Sequence, residues 1–140
     1  MLKLTRKVEY ALIALRYMQR KRDRKCASAK EISDLYRIPL PLLSKILQKL
    51  SRVGIIHAIQ GPYGGYSLNI IPEKLTMKEL INIFEGPVGI MDCSIDSDCT
   101  QLKTCNIKNP LNEVNNAIIG LLNNITLADI SEQVNIGKGL

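Results

Sequence analysis

The sequence predicts a mostly α-helical fold with one small β-hairpin and a long C-terminal helix, and three observations support this prediction. Apolar residues recur at helical spacing over residues 4–19 and again over residues 29–53. Two short apolar runs flank the Gly- and Pro-rich segment GPYGG (61–65), which is typical of a hairpin. Apolar residues recur once more over residues 110–129. With no Trp and one Phe, the core must be aliphatic.

The first predicted helix spans residues 4–19, and its apolar stripe is Leu4, Val8, Leu12 and Leu15. A basic connector, RKRDRKC (20–26), follows it. Ser28 and Glu31 have the spacing of a capping box, so a second helix is expected to begin there, with Ile32 and Leu35 facing inward. Ile38-Pro39 ends that helix, because the residue before a proline is disfavoured in helical geometry.

A third helix is predicted from Leu40-Pro41 to just before Gly54, a residue suited to a C-terminal cap. Its predicted buried face is Leu43, Ile46, Leu47 and Leu50. Its opposite face is polar and basic: Pro41, Ser44, Lys45, Gln48, Lys49 and Arg52. Two short helices joined by a tight turn form a helix-turn-helix, whose second helix can lie in the major groove of DNA.

The runs IIHAIQ (55–60) and YSLNII (66–71) predict two strands joined through GPYGG. A hairpin directly after a basic helix-turn-helix corresponds to the wing of a winged helix. Glycines at the tip of a wing allow its backbone to approach a phosphate or a minor groove closely. Residues 1–75 are therefore predicted to form a winged helix-turn-helix domain that includes the N-terminal helix.

Residues 76–140 are predicted to hold a capped helix from Thr76 to Gly86, a cysteine loop at about 88–108 and a long helix at about 110–129. The apolar residues of the long helix are spaced alternately three and four apart: Leu111, Val114, Ile118, Leu121, Ile125 and Ala128. This heptad-like seam predicts a two-fold dimer that binds a palindromic site. The alternative is that the helix folds back on its own domain.

The charge of the chain is +6 in total but unevenly distributed. Residues 1–60 carry 14 Lys and Arg against 4 Asp and Glu, whereas residues 61–140 carry 5 against 9. A basic half indicates a polyanionic partner, although a merely solvated surface is the alternative. The N-terminus lacks a signal-peptide pattern, and no apolar run approaches the roughly 18 residues of a membrane helix, so we expect a cytoplasmic protein without a membrane partner.

Three of the four cysteines, Cys93, Cys99 and Cys105, lie in the loop with five residues between each pair. An iron–sulfur cluster, a zinc ion, redox-active thiols and a disulfide are all compatible with three thiols, although structural disulfides are rare in the cytosol. Zinc sites usually show closer pairs and histidines, and the only histidine, His57, lies in the wing. An enzyme is not expected, because the chain has no CxxC pair and no dinucleotide fingerprint.

Almost all of residues 1–130 resembles the Rrf family of bacterial winged-helix regulators, which includes IscR- and NsrR-type repressors. The stretches that carry the resemblance are LTRKVEYALIAL (4–15), AKEISDLYRIPLPLLSKILQKLSRVGII (29–56), GPYGGYSL (61–68), LTMKELINIFEGP (75–87) and the three-cysteine loop. The resemblance implies a homodimeric DNA-binding transcriptional regulator, most simply a repressor. It also implies that Cys93, Cys99 and Cys105 hold a [2Fe–2S] or [4Fe–4S] cluster that senses nitric oxide, iron or redox state.

The fourth cluster ligand varies within that family. Lys108 stands where the IscR-type histidine is expected, so that site is not intact. Glu9 occupies the position of the acidic ligand in the nitric-oxide-sensing type, where the ligand comes from the partner subunit. Glu9 as an ordinary surface acid is the alternative, and a cluster-free regulator that senses through thiol oxidation or zinc is the alternative for the whole site.

The candidate DNA contacts fall into three groups. Ser44, Lys45 and Gln48 have donors suited to base edges, whereas Lys49, Arg52 and the basic connector suit phosphates. The wing and the helix starts supply the rest of the predicted contacts: Ser28, Pro41, Gln60, Tyr63 and Gly64. Gln60 replaces the arginine that the family often carries there, which weakens the expected contact with a narrow minor groove. For each residue, simple solvent exposure is the alternative.

Overall fold

The computed structural model describes residues 3–21, 26–89 and 106–131. Its helices are α1 (Arg6–Arg20), α2 (Ala29–Tyr36), α3 (Leu40–Arg52), α4 (Met77–Glu85), α5 (Lys108–Asn124) and α6 (Leu127–Ser131). Its strands are β1 (Ile56–Ile59) and β2 (Gly65–Leu68), and a 3₁₀ turn spans Pro72–Lys74. The predicted mostly α-helical winged-helix fold with a small hairpin is therefore confirmed.

The core lies where α1, α2, α3 and the start of the wing meet. Its largest fully buried side chains are aliphatic, as predicted: Val8, Leu15, Ile32, Leu43, Leu47, Leu50, Ile56 and Leu80. The same cluster extends to Leu127 in α6, so one core joins the first helix to the last. The division of the chain near residue 75 stays a prediction.

Side-chain caps set the helix starts where the sequence predicts them. The hydroxyl of Ser28 accepts a hydrogen bond from the backbone N–H of Glu31 at 3.0 Å, and Thr76 does the same for Glu79 at 3.1 Å. Such caps satisfy N–H groups that have no partner inside the helix. Helix α2 ends at Tyr36, and its C-cap residue Arg37 adopts a left-handed conformation with φ of 55°. Leu35 is 59% exposed, so its predicted inward position is wrong.

The wing is an antiparallel pair in which Ile56 lies opposite Leu68 and Ile59 lies opposite Gly65. The second strand ends at Leu68 rather than at the predicted Ile71. A third segment joins the sheet, because Ala27 and Tyr66 exchange backbone hydrogen bonds of 2.9 and 2.8 Å. The wing is therefore attached to the residues that lead into α2.

The single long helix predicted for residues 110–129 is wrong, because α5 ends at Asn124 and α6 begins at Leu127. Two backbone bonds connect the break to the segment before α4: Met77 N–H donates to Ile125 at 2.9 Å, and Leu127 N–H donates to Leu75 at 2.9 Å. These bonds use groups that a continuous helix would need for itself. The periodic spacing of the apolar residues continues through the break, so the spacing alone does not reveal it.

Candidate nucleic-acid interface

Helix α3 has the two faces that the sequence predicts. Leu43, Ile46, Leu47 and Leu50 are all buried. On the other face, Pro41, Lys45, Gln48, Lys49 and Arg52 are exposed, and Ser44 is half-buried. The structure thus places the predicted base-contacting and phosphate-contacting residues of α3 along one solvent-facing surface, which is the placement that a recognition helix requires. In the basic connector, residues 22–25 lie outside the described residues, and Lys21 forms an ion pair with Glu31.

This surface carries positive charge that no acidic side chain among the described residues pairs with. Within the described residues, the ion pairs are Arg6–Glu9 and Lys21–Glu31, and neither involves α3. Lys49 instead places its Nζ 5.7 Å from the centroid of the Phe84 ring. A basic surface without paired acids attracts a polyanion such as the DNA backbone.

Lys7 extends the basic surface beyond α3, and the sequence analysis missed it. Lys7 is exposed in the first turns of α1, and it lines a hollow together with Lys45 and Lys49. Helices α1 and α3 are in contact, which brings together lysines that are 38 residues apart or more in the sequence. The density of basic residues in residues 1–60 was the only signal for this position.

Ser28 has a structural role besides its predicted DNA contact. Its hydroxyl oxygen accepts from Glu31 N–H and so caps α2. A hydroxyl also has one hydrogen to donate, so the cap leaves Ser28 able to donate to a phosphate. Pro41 lies in the first turn of α3, where its missing N–H costs no helical hydrogen bond.

The wing tip presents Gln60 and Tyr63 to solvent, with Tyr63 93% exposed. Gly64 lies in the tight turn, where an added Cβ would come within 2.1 Å of the Ile59 carbonyl oxygen. Gly64 is thus required by the turn itself, in addition to any contact with DNA. The thiol of Cys26 donates to the backbone carbonyl of Tyr63 at 3.1 Å, a contact that the sequence did not predict.

The predicted cluster ligands Cys93, Cys99 and Cys105 lie outside the described residues, which border that segment at residues 89 and 106. Glu9, the predicted fourth ligand, is half-buried in the first turn of α1, with its Oε2 3.4 Å from Arg6 Nη1. One turn earlier, Thr5 Oγ1 donates to Glu85 Oε1 at 2.5 Å. The start of α1 therefore lies beside the end of α4, where the chain enters the loop.

The described residues contain neither a metal-binding side-chain group nor a membrane-spanning helix. Residues 3–21, 26–89 and 106–131 contain no group of three or more His, Cys, Asp or Glu side chains placed to hold a metal ion. In the same segments, no helix has the length and apolar character needed to cross a bilayer.

Comparison with known proteins decides the family. Residues 4–133 match the model of a family named Rrf2 and described as an iron-dependent transcriptional regulator. This chain belongs to the Rrf2 family. The Rrf family predicted from the sequence is confirmed, and the members named among its relatives are transcriptional regulators rather than enzymes.

Individual relatives of this Rrf2 protein agree with that assignment. An Aquifex aeolicus protein named as an HTH-type transcriptional regulator is 42% identical over 77 residues, about half the length of either chain (55% and 53%). The regulator NsrR of Bacillus licheniformis is 29% identical over 131 residues, which are 92% of each chain. The solved structure of CymR, described as the global cysteine regulator of B. subtilis, has a TM-score of 0.76 at 25% identity, over 94% of this chain and 97% of CymR.

The donor set of this Rrf2 protein fits an iron–sulfur cluster. Cysteine thiolates are the usual ligands of such clusters, and three of them lie in one polar loop. The carboxylate of Glu9 is half-buried, and its ion-pair partner within the described residues is the exposed Arg6. Together with Glu9 of the partner subunit, the three thiolates would supply four ligand positions.

Proposed function

We propose that this Rrf2 protein is a homodimeric DNA-binding repressor whose affinity for its operator is set by an iron–sulfur cluster. The observation that carries the DNA-binding part is the exposed, unneutralised basic face of α3, adjacent in sequence to an exposed wing. A winged helix uses these two elements to bind a duplex, with the helix in the major groove. A cytoplasmic location, where the chromosome is accessible, belongs to the same proposal.

In the proposed complex with DNA, Ser44, Lys45 and Gln48 contact base edges, since their donors match guanine and adenine acceptors. Lys49 and Arg52 contact phosphates and so fix the register without specifying sequence. Around the recognition helix, five further positions complete the contact surface: Ser28, Pro41, Gln60, Tyr63 and Gly64. Tyr63 is exposed enough to reach the sugar–phosphate backbone.

The proposal of a dimer is based on the apolar surface of α5. None of the apolar side chains in this 17-residue helix is buried within the chain, and Val114 is 47% exposed. The half-buried seam residues are Leu111, Ile118 and Leu121, with Ile119 and Leu122 beside them. A second copy packed along this seam would remove their apolar surface from water, and two-fold symmetry would match a palindromic operator.

The proposed cluster site consists of Cys93, Cys99 and Cys105, with Glu9 of the partner subunit as a fourth ligand. These residues would hold the cluster, which would supply a centre that reacts with nitric oxide, oxidants or iron chelators. Contacts among the described residues connect the entrance of the loop to the DNA-binding surface. Glu85 joins the entrance of the loop to Thr5 in front of α1, while the neighbouring Phe84 contacts Lys49 on α3.

This route makes the DNA-binding surface sensitive to the conformation of the loop. A displaced loop entrance shifts the end of α4, and Phe84 then moves relative to Lys49. If the contact between the end of α4 and α3 has two arrangements, the state of the loop and the affinity for DNA are coupled energetically.

The test begins with protein purified without oxygen, for which iron, sulfide and visible absorption are measured per chain. Both forms, with and without cluster, are then used to select duplexes from a random library, and affinities for the enriched sequence are compared at one fixed salt concentration. We expect an enriched sequence with two-fold symmetry and unequal affinities of the two forms. Equal affinities would contradict the sensing part of the proposal, and no enrichment would contradict the DNA-binding part.

A cluster-free sensor is the second candidate, favoured by the structural similarity to CymR, a protein described as a global cysteine regulator. Single Cys93→Ser, Cys99→Ser and Cys105→Ser variants separate the two. A cluster requires all three thiolates, so all three variants would lose iron. A disulfide requires only two cysteines, so one of the variants would retain its response to oxidant.

A further inference from the structure

A hollow of about 140 Å³ lies between α1, α3 and the end of α4, on the same side of α3 as part of the basic surface. Its floor is apolar and consists of Leu42, Ile46 and Phe84, of which Ile46 is only 2% exposed. Its rim consists of three exposed lysines, Lys7, Lys45 and Lys49. We refer to this feature as the lysine hollow.

The rim of the lysine hollow is purely cationic. No acidic residue lines it, and its three lysines form no ion pair within the described residues. Lys49 lies over the Phe84 ring, 5.7 Å from the ring centroid, at the border between the charged rim and the apolar floor. Three like charges repel one another, so an anion bound between them would relieve that repulsion.

We propose that the lysine hollow binds a small aromatic carboxylate, with the ring on the apolar floor and the carboxylate among the lysines. An apolar protein cavity of about 150 Å³ is large enough to bind benzene, so this volume suits a single ring. Inorganic phosphate would leave the apolar floor unused, and an uncharged ring would leave the lysines unused. The chemistry of the hollow therefore selects a compound that has both parts.

This site would also control DNA binding, and that step rests on the proposed function. Lys45 and Lys49 are assigned to DNA in the proposed complex, and their ammonium groups cannot contact a bound carboxylate and the duplex fully at once. The bound carboxylate also cancels positive charge that attracts phosphates. The aromatic carboxylate and DNA should therefore exclude each other.

The first experiment titrates the ¹⁵N-labelled full chain with sodium benzoate and follows amide chemical shifts by NMR. Sodium acetate, which has the charge without the ring, and benzyl alcohol, which has the ring without the charge, are the matched controls. We expect saturation with benzoate at a Kd on the order of 1 mM, as is usual for so small a ligand. The shifts should centre on residues 42–49 and 84, and the two controls should bind at least about tenfold more weakly.

Substitutions then test the location. Lys7→Gln lies outside α3 and should weaken benzoate binding about fivefold, the factor for one solvated ammonium–carboxylate contact. Lys74→Gln is the control, because Lys74 borders a separate apolar hollow of about 200 Å³ and should leave the affinity unchanged. Leu42→Trp keeps all three lysines but fills the hollow, so it should abolish binding while thermal unfolding shows that the variant remains folded. Benzoate affinities equal to wild type in Lys7→Gln and Leu42→Trp would overturn the site.

The last measurement adds benzoate to the protein–DNA complex and follows fluorescence anisotropy, with acetate at the same concentration as the ionic-strength control. Release of DNA by benzoate beyond that caused by acetate supports mutual exclusion, and equal effects overturn it. If the chain binds DNA but not benzoate, the lysine hollow is not a ligand site and the proposed function stands. If it binds benzoate at the hollow but no duplex, the ligand site stands and the proposed function fails.

Discussion

Thr5 and Glu85 are 80 residues apart in the sequence, yet the Thr5 hydroxyl donates a 2.5 Å hydrogen bond to the Glu85 carboxylate. Thr5 is also the N-cap of α1, and Glu85 is the last residue of α4. The bond therefore joins the helix that carries Glu9 to the entrance of the cysteine loop. The residue before Glu85, Phe84, contacts Lys49 of α3, so the end of α4 contacts both α1 and α3.

Replacing Glu85 by Ala should weaken this junction with little loss of stability. The hydrogen bond is exposed, so the free energy of unfolding should fall by at most about 1 kcal/mol. The ratio of DNA affinities between the cluster-bound and cluster-free forms should move toward one, because the hydrogen bond between the loop entrance and the start of α1 is lost. Anisotropy titrations of both forms measure that ratio. Glu73→Ala, an exposed acid in the 3₁₀ turn, is the control, and an unchanged ratio in Glu85→Ala would argue against the route.

Gly65→Ala should damage the attachment of the wing. A Cβ at Gly65 would lie 2.5 Å from the Ala27 carbonyl oxygen, inside the backbone pairing that ties β2 to the residues before α2. Backbone atoms on both sides of the contact are held by hydrogen bonds and cannot move apart easily. We therefore expect the free energy of unfolding to fall by about 1–3 kcal/mol, as at other overpacked sites. Urea unfolding measures this loss. Ser67→Ala on the same strand should change stability by less than about 0.5 kcal/mol, and a similarly small effect of Gly65→Ala would contradict the close contact.

Elements with local signals could be predicted from the sequence. Ser28 and Thr76 are followed three residues later by Glu31 and Glu79, and both pairs mark helix starts in the structure. The apolar spacing in α3 identified its four buried residues correctly. These signals succeed because caps and faces depend on neighbours within a turn or two.

Features that depend on distant partners could not be predicted. Leu35 was expected to face inward, but the sequence does not show which surface α2 packs on. The break at Ile125 arises from backbone bonds to the segment around Leu75 and Met77. The position of Lys7 beside Lys45 and Lys49 likewise needs the packing of α1 on α3. Each of these requires tertiary contacts that no local pattern contains.

A half-buried hydrogen-bond network at the C-terminal end of α1 should make the protein sensitive to high pH. The Tyr17 hydroxyl and the Lys21 ammonium both bond to Glu31 Oε2. Burial, aided by the bond to Glu31, raises the pKa of Tyr17. Burial opposes the charged form of Lys21, but the bonds to Glu31 and Tyr17 outweigh it, so the pKa of Lys21 is raised as well.

The sign of the resulting pH dependence is the same for both groups. A raised folded-state pKa means that each group holds its proton more tightly in the folded form than in the unfolded form. The added stability is therefore fully present below the ordinary pKa values of 10.0 for Tyr17 and 10.5 for Lys21. It is lost as pH rises through the folded-state pKa values. We expect Tm to fall above pH 10 for this reason. Glu31→Gln should lower stability by about 1–2 kcal/mol at pH 7 and flatten that fall. A wild-type fall in Tm that Glu31→Gln leaves unchanged would exclude this network as its cause.

Arg52 and Gln48 should affect DNA binding in different ways. Arg52→Gln removes a proposed phosphate contact, so it should weaken binding to all sequences alike and reduce the slope of log affinity against log salt by about one. Gln48→Ala removes a proposed base contact and should cost about 1–3 kcal/mol on the selected operator, with little change on random DNA. Anisotropy titrations at several salt concentrations measure both quantities. Lys78→Gln on the exposed side of α4 is the charge-matched control for Arg52→Gln and should leave the slope unchanged.

Leu121→Asp tests whether the half-buried seam of α5 is covered by a second copy. A carboxylate placed in an apolar interface without a partner costs about 3–5 kcal/mol, which should raise the dimer dissociation constant by at least about 100-fold. Sedimentation equilibrium measures that constant. Asn116→Asp introduces the same charge on the opposite, exposed face of α5 and should leave the dimer intact.

The same pair of variants separates the dimer from a helix that only packs on its own domain. If α5 served only its own chain, Leu121→Asp would lower the Tm of a protein that was already monomeric, and its association state would not change. If α5 holds the dimer, the variant should remain folded and still bind a single half-site weakly. Its affinity for the full palindrome should then fall to that of the half-site, because the two recognition helices are no longer held at a fixed spacing. If the Leu121→Asp variant remains dimeric and keeps its preference for the palindrome, the dimer interface lies elsewhere on the chain.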